Sequence, residues 1–193
     1  KPGDKIALLS TNMPNSGMAY YATTFTGAVF VPMLPDFSQF EIENILSHSE
    51  AKAVFVSTGL RSKIKNLKIG NLQSIIAIED FNLIHTIESS PKFDLSEKPK
   101  QDYQVCEDDM AAIIYTSGTT GNSKGVMLSH KNICSNAILS KTIHPIDETD
   151  RFLSILPLSH TYENTLGYVI PMIAGSCIYY LGKALVPSLL FSA

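Results

Sequence analysis

The chain has 193 residues, 45% hydrophobic and 17% charged, and its 15 Lys and Arg against 18 Asp and Glu leave a formal net charge of −3. The apolar share supports a packed core and excludes intrinsic disorder, where apolar residues are scarce and charge dominates. A slightly acidic chain without a basic block is also excluded as a nucleic-acid binder, because phosphate-backbone affinity needs clustered Lys and Arg.

Apolar runs of strand length alternate with helical stretches. Strands are predicted at residues 5–9, 29–34, 53–57, 74–78, 111–116, 151–156 and 176–181, and helices at 16–27, 40–48, 61–68, 130–143 and 162–174. Ser38 with Glu41 reads as a capping box opening the second helix, with Ile42, Ile45 and Leu46 toward the core. Arg61, Lys63, Lys65 and Lys68 read as the solvated face of the third. Residues 89–109 hold Pro91, Pro99 and many charges without periodicity, so they read as a surface connection between a first α/β portion, 1–88, and a second, 110–193. Residues 164–182 carry no charge, but Gly167, Pro171 and Gly175 interrupt them, which favours a buried helix and strand over a membrane span. Cys106, Cys134 and Cys177 are far apart without metal-ligand spacing, as free thiols in a reducing compartment would be. Strands apolar on both faces predict an α/β fold of doubly wound, mostly parallel sheets covered by helices.

The chemistry is concentrated after the strand 111–116. Thr116, Ser117, Gly118, Thr119, Thr120, Gly121, Asn122, Ser123, Lys124 and Gly125 combine glycines that let backbone N–H groups converge on an anion, hydroxyls that donate to phosphate oxygens, and one cation. Together these suit a polyphosphate better than a plain polar hairpin. The spacing is not that of a Walker A loop: Gly118 and Gly121 are too close, Lys124 is followed by Gly125, and residues 126–128 read as a strand where that motif needs a helix. A strand, flexible loop, strand flap over phosphates is expected, and a kinase-type P-loop NTPase is not.

Tyr115-Thr-Ser-Gly-Thr-Thr-Gly-Asn-Ser-Lys-Gly-Val-Met-Leu-Ser-His130 closely resembles the signature of the adenylate-forming (AMP-binding) enzymes, among them acyl-CoA synthetases and peptide-synthetase adenylation domains. Leu156-Pro-Leu-Ser-His-Thr-Tyr-Glu163 is similar to their acyl- and AMP-site segment, in the form most like long-chain fatty acyl-CoA synthetases. The opening nine residues and residues 27–34 resemble the family's first strands, so the likeness covers nearly the whole chain. It implies the partial large N-terminal domain of an acyl-CoA-synthetase-like fold.

The resemblance also implies a two-step ligase using ATP, Mg²⁺ and CoA, in which a fatty acid becomes an acyl-adenylate and then acyl-CoA. Thr116 would serve the Mg²⁺ and phosphate site, Ser117, Gly118, Thr119, Thr120 and Gly121 would cradle the phosphates, Lys124 would add charge at the loop mouth, and His160 would line the acyl and nucleotide pocket. Glu163 divides evenly between a site role and a helix first-turn carboxylate favoured by the macrodipole. His48, His85, His130 and His144 show no partner pattern, and Tyr20, Tyr21 and Phe25 read as helix core.

The chain opens at Lys1, closes after the largely apolar residues 184–191, and holds no Tyr-Gly-x-Thr-Glu or Thr-Gly-Asp segment. It is therefore read as a piece of a longer protein, inactive alone, whose partners are the small-molecule substrates and the remainder of its own chain. A charged share below the roughly 25% of ordinary soluble chains fits a surface normally covered by more protein. A cytoplasmic setting is expected, with peripheral membrane association of the parent left open. The alternatives are an adenylating enzyme for another carboxylate or acceptor and a non-catalytic nucleotide-binding or interaction module.

Overall fold

The computed structural model describes residues 1–67, 69–86, 103–116, 124–143 and 145–181. β1 (Lys5–Leu9) lies parallel to β2 (Val29–Met33) on one side and to β3 (Ala53–Val56) on the other. β4 (Ser74–Ala77) runs parallel to β3, and β6 (Met110–Thr116) runs parallel to β2. Both edges are antiparallel: β5 (Leu83–Thr86) turns back on β4, and β7 (Lys124–Ser129) turns back on β6. Among the described residues the sheet order is β5-β4-β3-β1-β2-β6-β7.

Successive residues of a strand point to opposite faces, and the core divides accordingly. Ala7, Leu9, Val29, Val31, Met33, Val54 and Val56 pack on one face against Ile42, Ile45 and Leu46 of α2 (Gln39–His48). Leu8, Phe30 and Ala112 on the other face meet Ala19 and Tyr20 of α1 (Pro14–Phe25) and Ile133 and Ala137 of α3 (His130–Ile143). That second layer also takes in Tyr168, Val169 and Ile170, from a π-helix over Glu163–Val169 and the start of α4 (Ile170–Ala174). β8 (Arg151–Ser154) and β9 (Cys177–Tyr180) form a separate parallel pair. The doubly wound, mostly parallel architecture expected from the apolar runs is present.

The capping box is present too: Ser38 Oγ accepts from the Glu41 N–H at 3.3 Å, and Glu41 Oε2 accepts from the Ser38 N–H at 2.7 Å. Those bonds to Ser38 hold the Glu41 carboxyl below its ordinary value.

Three local expectations need correction. The helix predicted at 61–68 is a 3₁₀ turn over Thr58–Lys63, with Lys68 outside the described residues. Its six residues include Gly59, a poor helix former, and a single apolar side chain, Leu60. Lys63 is no solvated side chain either, since its Nζ donates to the Pro35 and Phe37 carbonyls at 2.6 and 2.8 Å. The helix predicted at 162–174 is a π-helix over Glu163–Val169: the Ile170 N–H bonds five residues back to Thr165, and Pro171 has no N–H with which to restore the tighter ladder. β5, unpredicted, is a four-residue strand whose turn depends on Asp80 accepting from the Asn82 N–H at 3.0 Å.

The expected connection at 89–109 is described only from residue 103, where Asp109 accepts from the Tyr103 hydroxyl and the Cys106 N–H. The strands before and after it belong to one sheet. Among the described residues no helix is long and apolar enough to cross a membrane.

Ser38→Ala should lower unfolding stability by about 1 kcal/mol in a denaturant melt, the usual cost of losing an N-cap hydroxyl. Val126, Met127, Ile138, Leu139, Ile143, Leu153 and Tyr179 stand exposed, each at least 46% accessible. The isolated 193-residue chain should therefore bind a hydrophobic dye and self-associate in light scattering, whereas a dye-silent monomer would show that these side chains do not form a usable patch.

Candidate phosphate and acyl site

β1, β2 and β6 are parallel, so their carboxyl ends share one edge of the sheet, the edge at which open α/β sheets take ligands. β6 ends at Thr116, β7 begins at Lys124, and the two residues pair directly across the ladder. Side chains opposite one another on antiparallel strands have Cβ atoms about 5 Å apart. Exposed Thr116 and exposed Lys124 thus stand together at the base of residues 117–123, a hydroxyl beside a cation. Ser117, Gly118, Thr119, Thr120 and Gly121, with Asn122 and Ser123, lie outside the described residues. The strand expected at 126–128 is present and begins at Lys124 itself.

His160 sits in the turn between β8 and the π-helix. Its backbone N–H donates to the Pro157 carbonyl at 2.8 Å, and its carbonyl accepts from the Asn164 N–H at 2.9 Å. The ring is exposed, and its Nδ1 accepts from the Tyr162 N–H at 3.2 Å. An accepting Nδ1 selects the neutral tautomer with its proton on Nε2, so the free corner of the ring is a donor.

Asn12, in the loop after β1, ties that turn to the first sheet. Its Oδ1 accepts from the Leu158 N–H at 2.8 Å, its Nδ2 donates to Ser154 Oγ at 2.7 Å, and Nδ2 also contacts the Leu156 carbonyl. β1 and β6 are separated only by β2, about 10 Å at ordinary strand spacing. The segment carrying His160 is thereby fixed to the same edge that ends in Thr116.

Ser154 passes the contact on, donating to Glu163 Oε1 at 2.6 Å. Glu163 is only 5% exposed, so this carboxylate is a buried, hydrogen-bonded group rather than a surface first-turn acid. Gly167, one turn along, makes room for it: a Cβ there would lie 2.6 Å from the carboxyl carbon. Tyr180 records the same carboxylate, its hydroxyl pushed up by burial and then by the charge of Glu163.

Asn12 and Ser154 carried no signal in the sequence, because one is a loop Asn and the other a strand-end Ser 142 residues away. Among the described residues no three His, Cys, Asp or Glu stand together as a metal cluster. Asn12→Ala should lower stability by about 1–3 kcal/mol in a denaturant melt by leaving buried Ser154 and the Leu158 N–H short of partners, and Gly167→Ala should cost a similar amount by displacing Glu163.

The family described as AMP-binding enzyme matches residues 1–192. The long-chain-fatty-acid–CoA ligase of Bacillus subtilis (strain 168) is 29% identical, over 84% of this chain and 34% of that protein. The 4-coumarate–CoA ligase of Vanilla planifolia is also 29% identical, over 95% of this chain and 34% of that protein. The inhibitor-bound N-terminal domain of FACL13 from Mycobacterium tuberculosis superposes with a TM-score of 0.78 at 25% identity, over 99% of this chain and 47% of that one. The chain spans about a third of the length of these curated relatives. A match over essentially its full length, on a fold and hairpin of this geometry, places the chain in the AMP-binding enzyme family.

Proposed function

We propose that the protein containing this chain activates a carboxylic acid, a long-chain fatty acid first among them, with ATP and transfers the acyl group to CoA. The observation that carries this reading is the direct pairing of Thr116 with Lys124 at the base of the hydroxyl-rich segment 117–123. A carboxylate oxygen forms a bond to the α-phosphorus while the bond to pyrophosphate breaks. The CoA sulfur then bonds to the acyl carbon, AMP leaves with the C–O electron pair, and the thiol proton passes to solvent.

The chain's own share is positioning and charge stabilisation. The Thr116 hydroxyl donates to a phosphate oxygen, and the Lys124 ammonium lies beside the charge released as pyrophosphate. Ser117, Gly118, Thr119, Thr120 and Gly121 supply further donors in the proposal. His160 presents its Nε2–H toward the acyl and nucleotide pocket, held there by the turn that Asn12 anchors. Mg²⁺, when bound, would neutralise phosphate charge, and the Thr116 hydroxyl would help to hold it.

The names of the relatives favour a second acid, since one is a 4-coumarate–CoA ligase. Pyrophosphate release by the full-length protein with ATP, Mg²⁺ and CoA, run against palmitate, a short fatty acid and 4-coumarate, decides between them. Palmitate should give the highest kcat/KM, and a preference for 4-coumarate would overturn the fatty-acid assignment. Thr116→Val and Lys124→Ala should each cut kcat/KM for ATP by about tenfold or more, the value of a hydrogen bond to a charged group. The 193-residue chain alone should give background release, and turnover would overturn its role as one part of the catalyst.

A further inference from the structure

The sheet edge bearing Thr116 is tethered from the opposite layer by a residue that no sequence pattern singles out. His48, at the C-terminal end of α2, places Nδ1 2.7 Å from the Tyr115 hydroxyl. The two rings meet edge to face, with centroids 5.8 Å apart. Tyr115 is 6% exposed, and burial pushes its hydroxyl up, so the phenol stays protonated and forms its hydrogen bond with Nδ1 in the direction the His48 tautomer sets. The contact joins residues 67 apart.

Tyr115 occupies a particular place in the hairpin. It immediately precedes Thr116 on β6, and its partner across the ladder is Gly125, the residue after Lys124. A Cβ on Gly125 would come within 3.3 Å of the Tyr115 ring and 2.9 Å of Ile113 Cγ2. The ring therefore lies over the backbone of β7 where that strand begins, and one side chain spans both strand ends. β7 has β6 as its one neighbour in the described sheet, so it lacks the second ladder that steadies an inner strand.

We propose that His48 is a positioning residue for ATP: through the Tyr115 hydroxyl it fixes the paired strand ends that carry Thr116 and Lys124. The inference rests on the ligase reading for its link to ATP, while the tether itself is independent of that reading. A strand end that swings by an ångström moves the hydroxyl and the cation together, and binding that depends on preorganised donors weakens.

The test uses the full-length protein with His48→Ala, His48→Asn, Tyr115→Phe and the His48→Ala/Tyr115→Phe pair. His48→Ala should raise KM for ATP by about fivefold, the value of one neutral hydrogen bond, and leave KM for the acid within about twofold. Asn, which can offer an amide oxygen near the Nδ1 position, should recover most of the loss, and the double variant should be no worse than either single. Hydrogen exchange should quicken in His48→Ala at residues 113–116 and 124–127 and nowhere else in the sheet. An active wild type whose His48→Ala variant keeps its KM for ATP, or shifts both KM values equally, would overturn the proposal. If the wild type adenylates no acid, the ligase reading fails instead; exchange then decides the tether alone, and unchanged exchange at those strand ends sinks it.

Discussion

The site depends on one constraint, the double burial and double pairing of β2. All five of its residues are buried, and it lies between β1 and β6. Burying side chains the size of Phe30, Val31 and Met33 contributes about 1.5–3 kcal/mol each, which is large against the net stability of a domain. Satisfying β2 brings residues 110–116 against strands formed more than 75 residues earlier and aligns their carboxyl ends. The pairing has a limit built into the sequence. The Val29 N–H donates to Asp4 on the β1 side, so the alternate residues Phe30 and Pro32 face β6, and Pro32 has no N–H to give. The recorded register between β2 and β6 is accordingly the single pair Phe30 with Ala112.

Polar contacts at that edge are affordable only because the apolar layers form around them. Glu163 is a carboxylate removed from water, and burial of such a group is costly unless its lone pairs are met. Ser154 meets one of them, and Asn12 in turn meets Ser154. Gly167 leaves the space the carboxyl group occupies. The network therefore reports closure: it exists only when β8, the π-helix and the end of β1 are all in place.

Much of this was legible in residues 1–57, 111–116 and 124–143, and for a physical reason. β1 is four apolar residues after Lys5, α3 spans its predicted bounds, and the Ser38 capping box is a local arrangement of two residues three apart. What local pattern could not show was pitch and partnership. The π-helix depends on where Pro171 and buried Glu163 fall in three dimensions, and the 3₁₀ turn depends on Lys63 reaching the carbonyls of another loop. The same division runs through the site. Thr116 and Lys124 stood out as candidates because they bracket one contiguous polar segment, and His160 because its neighbours form a motif. Asn12 and His48 act across 142 and 67 residues and leave no trace in spacing.

That division says what each kind of residue contributes. A contiguous run of Gly, Ser, Thr and Lys supplies donors and charge, and such a run can be written into any surface hairpin. Its affinity for a polyphosphate depends on how few conformations compete with the productive one. Among the described residues the outermost strand of the hairpin has one neighbour, so order at its base must come from elsewhere. It comes from a ring laid across both strand ends and held by α2, and, on the His160 side, from an Asn that joins two sheets. The candidate chemistry is thus local in sequence, whereas the geometry that positions it is long-range, and on the proposed reading a change at His48 acts on ATP without touching it.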